Sequence, residues 1–70
     1  MDDFYKRLIE EQSQLEERLR KLNAFNDSEK AKEIDLVQQS LLLIQAGAMY
    51  TYNECLKARI MNLALKNTGE

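Results

Sequence analysis

The 70-residue chain has no histidine, no proline, one cysteine and two glycines. Each shortage excludes something. Without histidine the usual general base and the usual zinc ligand are missing, and one thiolate cannot close a metal cage. Cys55 is alone, so no disulfide forms within the chain. An unpaired cysteine fits a reducing compartment. With no histidine to activate it, Cys55 reads as a small core residue. There is no glycine-rich phosphate loop and no apolar leader. The longest apolar run, Leu41 to Ile44, is far too short to span a membrane, which makes the cytoplasm the expected location. The net charge of −2 gives no basic stripe for a DNA or RNA polymer. Glu10-Glu11 and Glu16-Glu17 are helix neighbours that do not face each other, so they read as solvated surface. These absences leave recognition, without an enzyme activity, cofactor or metal.

A chain this short is one domain, residues 1–70, and buries only ~60–65% of its unfolded surface. Small scaffolds compensate with disulfides, a metal or oligomerisation. The first two are excluded above, and self-association remains.

What is present is helical periodicity. Asp2 and Asp3 are suited to cap a first helix, over about residues 4–22. Its apolar residues Phe4, Leu8, Leu15, Leu19 and Leu22 fall within about one-sixth of a turn. Tyr5 and Gln12 border that stripe and Ile9 lies on a flank. Glu10, Glu16, Glu17, Arg20 and Lys21 occupy the opposite face, giving an ordinary amphipathic helix. Residues 23–35, "NAFNDSEKAKEID", read as a connection rich in turn formers. In it Ser28 caps a short helical turn, and Phe25 and Ile34 pin the connection to the core. Asp35 with Gln38 resembles a capping box that opens a second helix, about residues 36–66 and ~46 Å long by helix rise. Gly69 falls in the tail.

The second helix has too few polar positions. Val37, Leu41, Ile44, Ala48, Tyr52 and Cys55 form one stripe. Leu42, Met49, Leu56, Ile60 and Leu63 form a second, and Leu36, Leu43, Gly47, Tyr50, Met61 and Leu65 a third. Only a ridge through Gln39, Asn53 and Lys57 reads as fully wet. A helix that is apolar nearly all round is buried on most sides, and the first helix can cover only one side. The expected fold is therefore all-α: an antiparallel helical hairpin with a short helical connection, assembled as a homo-oligomeric bundle around the second helix. Gly47, between Ala46 and Ala48, costs ~1 kcal/mol relative to alanine and leaves a notch where another helix or a ligand could approach.

The candidate recognition residues are cationic and aromatic. Arg18, Arg20 and Lys21 cluster near the end of the first helix, either to balance its dipole and pair with Glu16 and Glu17 or to bind phosphate. Arg59 sits at the edge of an apolar stripe and needs a carboxylate or an anionic ligand. Tyr5, Tyr50 and Tyr52 are core or interface rings unless they face a cleft, where one could stack on a base.

The run "RLIEEQSQLEERLRKLNAF", then Ser28, then "LLLIQAGAMYTYNECLKARI", resembles the helical hairpin domain of phage anti-CBASS and Thoeris anti-defence sponges. Arg7-Leu8, Leu15, Leu19, Lys21-Leu22, Phe25, Ser28, Leu41-Leu42, Gln45, Met49, Tyr52, Leu56 and Arg59-Ile60 carry the likeness, over residues 5 to 60. The resemblance implies a compact homo-oligomer, often a hexamer, that holds cyclic oligonucleotide or cyclic ADP-ribose signals between protomers and leaves them intact. In a phage-encoded member this happens in the host cytoplasm. It also implies residue roles. Tyr5 would stack on a base in a dinucleotide-type pocket, where Arg20 or Lys21 meets a phosphate. Arg59, with Ser28 nearby, would serve a second pocket for a larger cyclic ligand. The polar connection and Gly47 depart from the family pattern. The competing readings are an oligomeric coiled-coil-like adaptor or phage structural protein with no small ligand, and a regulator that binds a partner protein through its exposed helix.

Overall fold

The computed structural model describes residues 3–68. Two α-helices, α1 (Asp3–Asn26) and α2 (Leu36–Thr68), are joined by a short 3-10 turn at Lys30–Glu33. They pack antiparallel into a rod of 54 × 15 × 14 Å. By helix rise α1 is ~36 Å long and α2 ~50 Å, so α2 overhangs.

α1 continues past Leu22, where the connection was expected to begin. Asn23 and Asn26 favour turns in isolation, yet Leu22 and Phe25 are half-buried, and the Asn26 side chain donates across to the Leu42 carbonyl (3.3 Å). Tertiary contacts thus carry the helix one more turn. Arg20 and Lys21 consequently lie inside the helix, and its last turn has no basic residue. Asp3 supplies the acidic first turn; the expected cap at Asp2 lies outside the described residues, as does Gly69.

The turn is held locally. Ser28 Oγ donates to the Phe25 carbonyl (2.6 Å) and accepts the Ala31 N–H (3.3 Å). Asp35 caps α2, its Oδ2 accepting the N–H groups of Val37 (3.0 Å) and Gln38 (3.2 Å). The expected return contact from the Gln38 side chain is not among the hydrogen bonds of the described residues, and a neighbouring side chain ties the cap to the turn in another way. The Gln39 amide donates to the Ile34 carbonyl (2.8 Å).

The core is narrow. Leu8 and Leu15 of α1 close on Leu56 of α2, with Met49, Ile60 and Leu63 packed around them, while Leu19 and Ala46 are also buried. The face of α2 that meets α1 is thus the expected second stripe. Its centre, however, contains Asn53, only 3% exposed, and Gln39 is half-buried. The ridge expected to be wet is largely covered, with Lys57 alone of the three in water. Gln12 explains the reversal: its Nε2 donates to Asn53 Oδ1 (3.0 Å) and to Glu16 Oε1 (2.7 Å), and Asn53 Nδ2 reaches the same Glu16 oxygen (3.4 Å). A buried amide is tolerated when it is paired, and a wheel of α2 alone does not show its partner. Cys55, expected in the core, is exposed, because it sits at the edge of the helix contact, in an open cleft that it lines together with Phe4.

The other faces of α2 stay uncovered in the single chain. Leu36 is 75% exposed, and Val37, Leu41, Leu43, Ile44, Tyr50 and Met61 are exposed as well. A Cβ at Gly47 would meet nothing within 4 Å. No helix among the described residues is long and apolar enough to cross a membrane.

Two predictions follow from this packing. Asn53→Ala removes a buried amide and its hydrogen bonds with Gln12 and Glu16 from the helix contact and should destabilise the fold by ~1–3 kcal/mol, read as a lower midpoint in chemical denaturation. The second concerns pH. Hydrogen bonds from Gln12, then from Asn53, and the nearby Lys57 charge hold the Glu16 carboxyl below its ordinary 4.5. A lowered native value means the unfolded chain binds more protons. The contribution is therefore complete above about pH 4.5 and disappears as pH falls through the native value. The gap in melting temperature between wild type and Glu16→Gln should narrow on acidification below that point. A gap that stays constant there would contradict the assignment.

Candidate ligand-binding site

Arg59 lies on α2, one turn after Cys55, on the flank next to the start of α1. It lines an open cleft of about 420 Å³ with Phe4, Cys55, Ala58, Asn62 and Leu63. Apart from Arg59 and Asn62 the lining is apolar or a thiol, and it includes no carboxylate. Among the described residues Arg59 makes no ion pair. An exposed guanidinium at the rim of an apolar cleft offers two good donors to an anion with a carbon frame.

Phe4 was placed with the buried stripe of α1, but it is 56% exposed and forms a wall of this cleft. It is in the first turn of α1, where the core has run out. The spacing of the stripe gave no warning, because every position in it looks equivalent on a helical wheel.

Arg20 is in a different environment. Its Nε and Nη2 grip the two carboxylate oxygens of Glu17 (3.1 and 2.7 Å), and Lys21 Nζ is 4.0 Å from the same group. The Arg20 hydrogen bond keeps the Glu17 carboxyl below its ordinary value, against partial desolvation, and the charges of Arg20 and Lys21 add to the lowering. The clefts around Arg20 also contain Glu16, Glu17 and Glu54, so within one chain a phosphate there would have to displace a carboxylate.

The remaining expected site residues are scattered. Tyr5 is half-buried near the start of α1. Fifteen residues separate it from Arg20, ~22 Å along the axis, so one chain cannot put both on one small ligand. Ser28 is at the turn, and both its hydrogen-bonding functions serve the chain there. The turn is anchored near Leu42, and Leu42 is ~25 Å along α2 from Arg59. Ser28 and Arg59 are therefore not neighbours within a protomer. Tyr52, one turn before Leu56, hydrogen-bonds to the Glu11 carboxylate, tying the outer edges of the two helices together.

The Sequestin family description matches residues 2–62. The chain belongs to the Sequestin family. Sequestin is the anti-CBASS and Thoeris sponge family, so the family role is sequestration of immune signalling molecules, not catalysis. No curated protein and no solved structure matches the chain.

Glu17→Gln would remove the full charge that holds Arg20. Glu17 and Arg20 are both exposed, so the change should move the melting temperature no more than an ordinary surface substitution does. A larger loss would show that the pair carries part of the fold.

Proposed function

We propose that this Sequestin is a phage anti-defence sponge that binds cyclic oligonucleotide or cyclic ADP-ribose immune signals at seams between its own copies and sequesters them uncleaved. The observation that carries the proposal is Arg59, an unpaired guanidinium on the rim of an apolar cleft, on a helix whose other faces are uncovered. The chain assembles through those faces of α2 into a homo-oligomer, a hexamer as in the family pattern, in the host cytoplasm. Assembly completes two pockets that one chain leaves open. Tyr5 of one copy meets Arg20 or Lys21 of another around a dinucleotide, the phosphate displacing Glu17. Arg59 meets Ser28 of a neighbouring copy around a larger ring. A cyclic nucleotide carries negative charges and flat bases, and a seam lined by guanidinium groups and aromatic rings encloses both while excluding water.

One observation favours the alternative of an adaptor or phage structural protein without a small ligand: Arg20 and Lys21 already have a carboxylate partner in Glu17. Calorimetric titration with cyclic di- and trinucleotides and cyclic ADP-ribose isomers separates the two. On the sponge reading Arg59→Ala weakens one ligand class by roughly tenfold to hundredfold while the assembly persists. The bound ligand is recovered intact after the protein is heated. No binding across the panel, or recovery of a cleaved ligand, would sink the reading.

Assembly has its own test. Light scattering should give a mass well above 8.2 kDa at micromolar concentration. In a free chain Gly47→Ala gains ~1 kcal/mol of helix stability and meets open space. If a second helix packs on the notch, the same change lowers the assembled mass or its melting temperature. A monodisperse monomer of the wild type would remove the seams.

A further inference from the structure

The Arg59 cleft does not end at Arg59. Phe4 and Arg59 also line an adjoining cleft of about 240 Å³, whose other walls are Arg7, Leu8 and Glu11. The two clefts meet at Phe4 and Arg59 and form one trough between the start of α1 and the last third of α2. Phe4 and Arg7 are three residues apart on α1, which makes them neighbours on one helix face. Among the described residues Arg7, like Arg59, makes no ion pair. The one carboxylate among the described lining residues, Glu11, accepts a hydrogen bond from the Tyr52 hydroxyl and keeps its charge, so the trough holds two guanidinium groups against one carboxylate. The trough therefore presents an exposed phenyl ring and two arginines that make no ion pair among the described residues.

That combination selects a ligand. An apolar protein surface laid over it would bury two guanidinium groups with only one carboxylate among them, which is costly. A ligand that carries its own negative charge beside a flat ring meets all three groups. A phosphate accepts two parallel hydrogen bonds from a guanidinium, and a base stacks on an aromatic face without sequence preference. We infer that Phe4, Arg7 and Arg59 form one nucleotide-binding site, in which a base stacks on Phe4 and the two arginines hold its flanking phosphates. The inference rests on the sponge reading and adds Phe4 and Arg7 to it as ligand contacts. It also favours a ligand whose nucleotide is flanked by two phosphates, as in an oligonucleotide ring, over a nucleoside or a mononucleotide.

The test uses the full chain, with cyclic diadenylate, cyclic triadenylate and cyclic ADP-ribose as probes in calorimetry and light scattering on each sample. Arg7→Ala and Phe4→Ala should each weaken the probe that Arg59→Ala weakens, by roughly tenfold to hundredfold for the arginine and about fivefold or more for the ring. Arg7→Lys keeps the charge without the fork and should fall between wild type and Arg7→Ala. Phe4→Leu keeps apolar volume but cannot stack, so it guards against loss of fold in Phe4→Ala and should show the same direction. If Arg7→Ala and Phe4→Leu bind within twofold of wild type while Arg59→Ala does not bind, this site is overturned and the sponge reading stands. Phe4 variants that lose assembled mass at unchanged affinity would make Phe4 an interface residue, which also overturns the site. If wild type binds none of the probes, both readings fall.

Discussion

A helix can be covered by one neighbour on only one side. Everything unusual in this protein follows from α2 being apolar on three sides while the chain supplies it with one partner. α1 takes the face through Leu42, Met49, Leu56 and Ile60. The faces through Val37, Leu41 and Ile44 and through Leu36, Leu43 and Tyr50 are left to solvent in a single copy. Burial of apolar surface is worth ~25 cal/mol per Å², so the most effective way to stabilise so thin a rod is contact with more helices. The gap at Gly47, where no atom lies within 4 Å of an added Cβ, is on one of these open faces.

The hairpin's register depends on a small polar contact within the apolar seam. Gln12 and Asn53 satisfy each other, and Glu16 accepts from both. Sliding α2 along α1 by one turn would leave the buried Asn53 amide without its partners on α1, a larger loss than the shift of a few leucines that can repack. A buried polar pair of this kind specifies alignment more than it adds stability. Counting from it, Arg59 is six residues along α2, ~9 Å, and Phe4 is eight back along α1, ~12 Å. Because the helices are antiparallel, both displacements point to the same end of the rod. The amide pair therefore sets which residues of α1 stand beside Arg59.

Electrostatics divides the candidate positions into two kinds. Arg20 and Lys21 sit among Glu16, Glu17 and Glu54, and their charge is largely answered on their own surface. Arg7 and Arg59 line a trough in which, among the described residues, Glu11 is the one carboxylate and makes no ion pair with either. A sequestering protein needs tight binding and no turnover, and unanswered cations beside an apolar wall give affinity without a nucleophile or a base. The separation of Tyr5 from Arg20, and of Ser28 from Arg59, means that a pocket using either pair draws on more than one copy.

The sequence by itself determined the two helices, the antiparallel hairpin, the Ser28 turn, the Asp35 cap and the excess of apolar surface on α2. These are local or periodic properties, set by spacing along one chain segment, and the family pattern in Arg7-Leu8, Phe25, Ser28 and Arg59-Ile60 was equally visible there. What depends on the second helix was not. Asn53 read as wet because its partner Gln12 is 41 positions away in sequence. Cys55 read as core and Phe4 as buried because a helical wheel does not say which stripe a single partner will cover, or where along the helix that cover ends. Arg20 and Arg59 looked alike as lone cations, and only the tertiary structure separated them, by placing a carboxylate against one and an open apolar cleft beside the other.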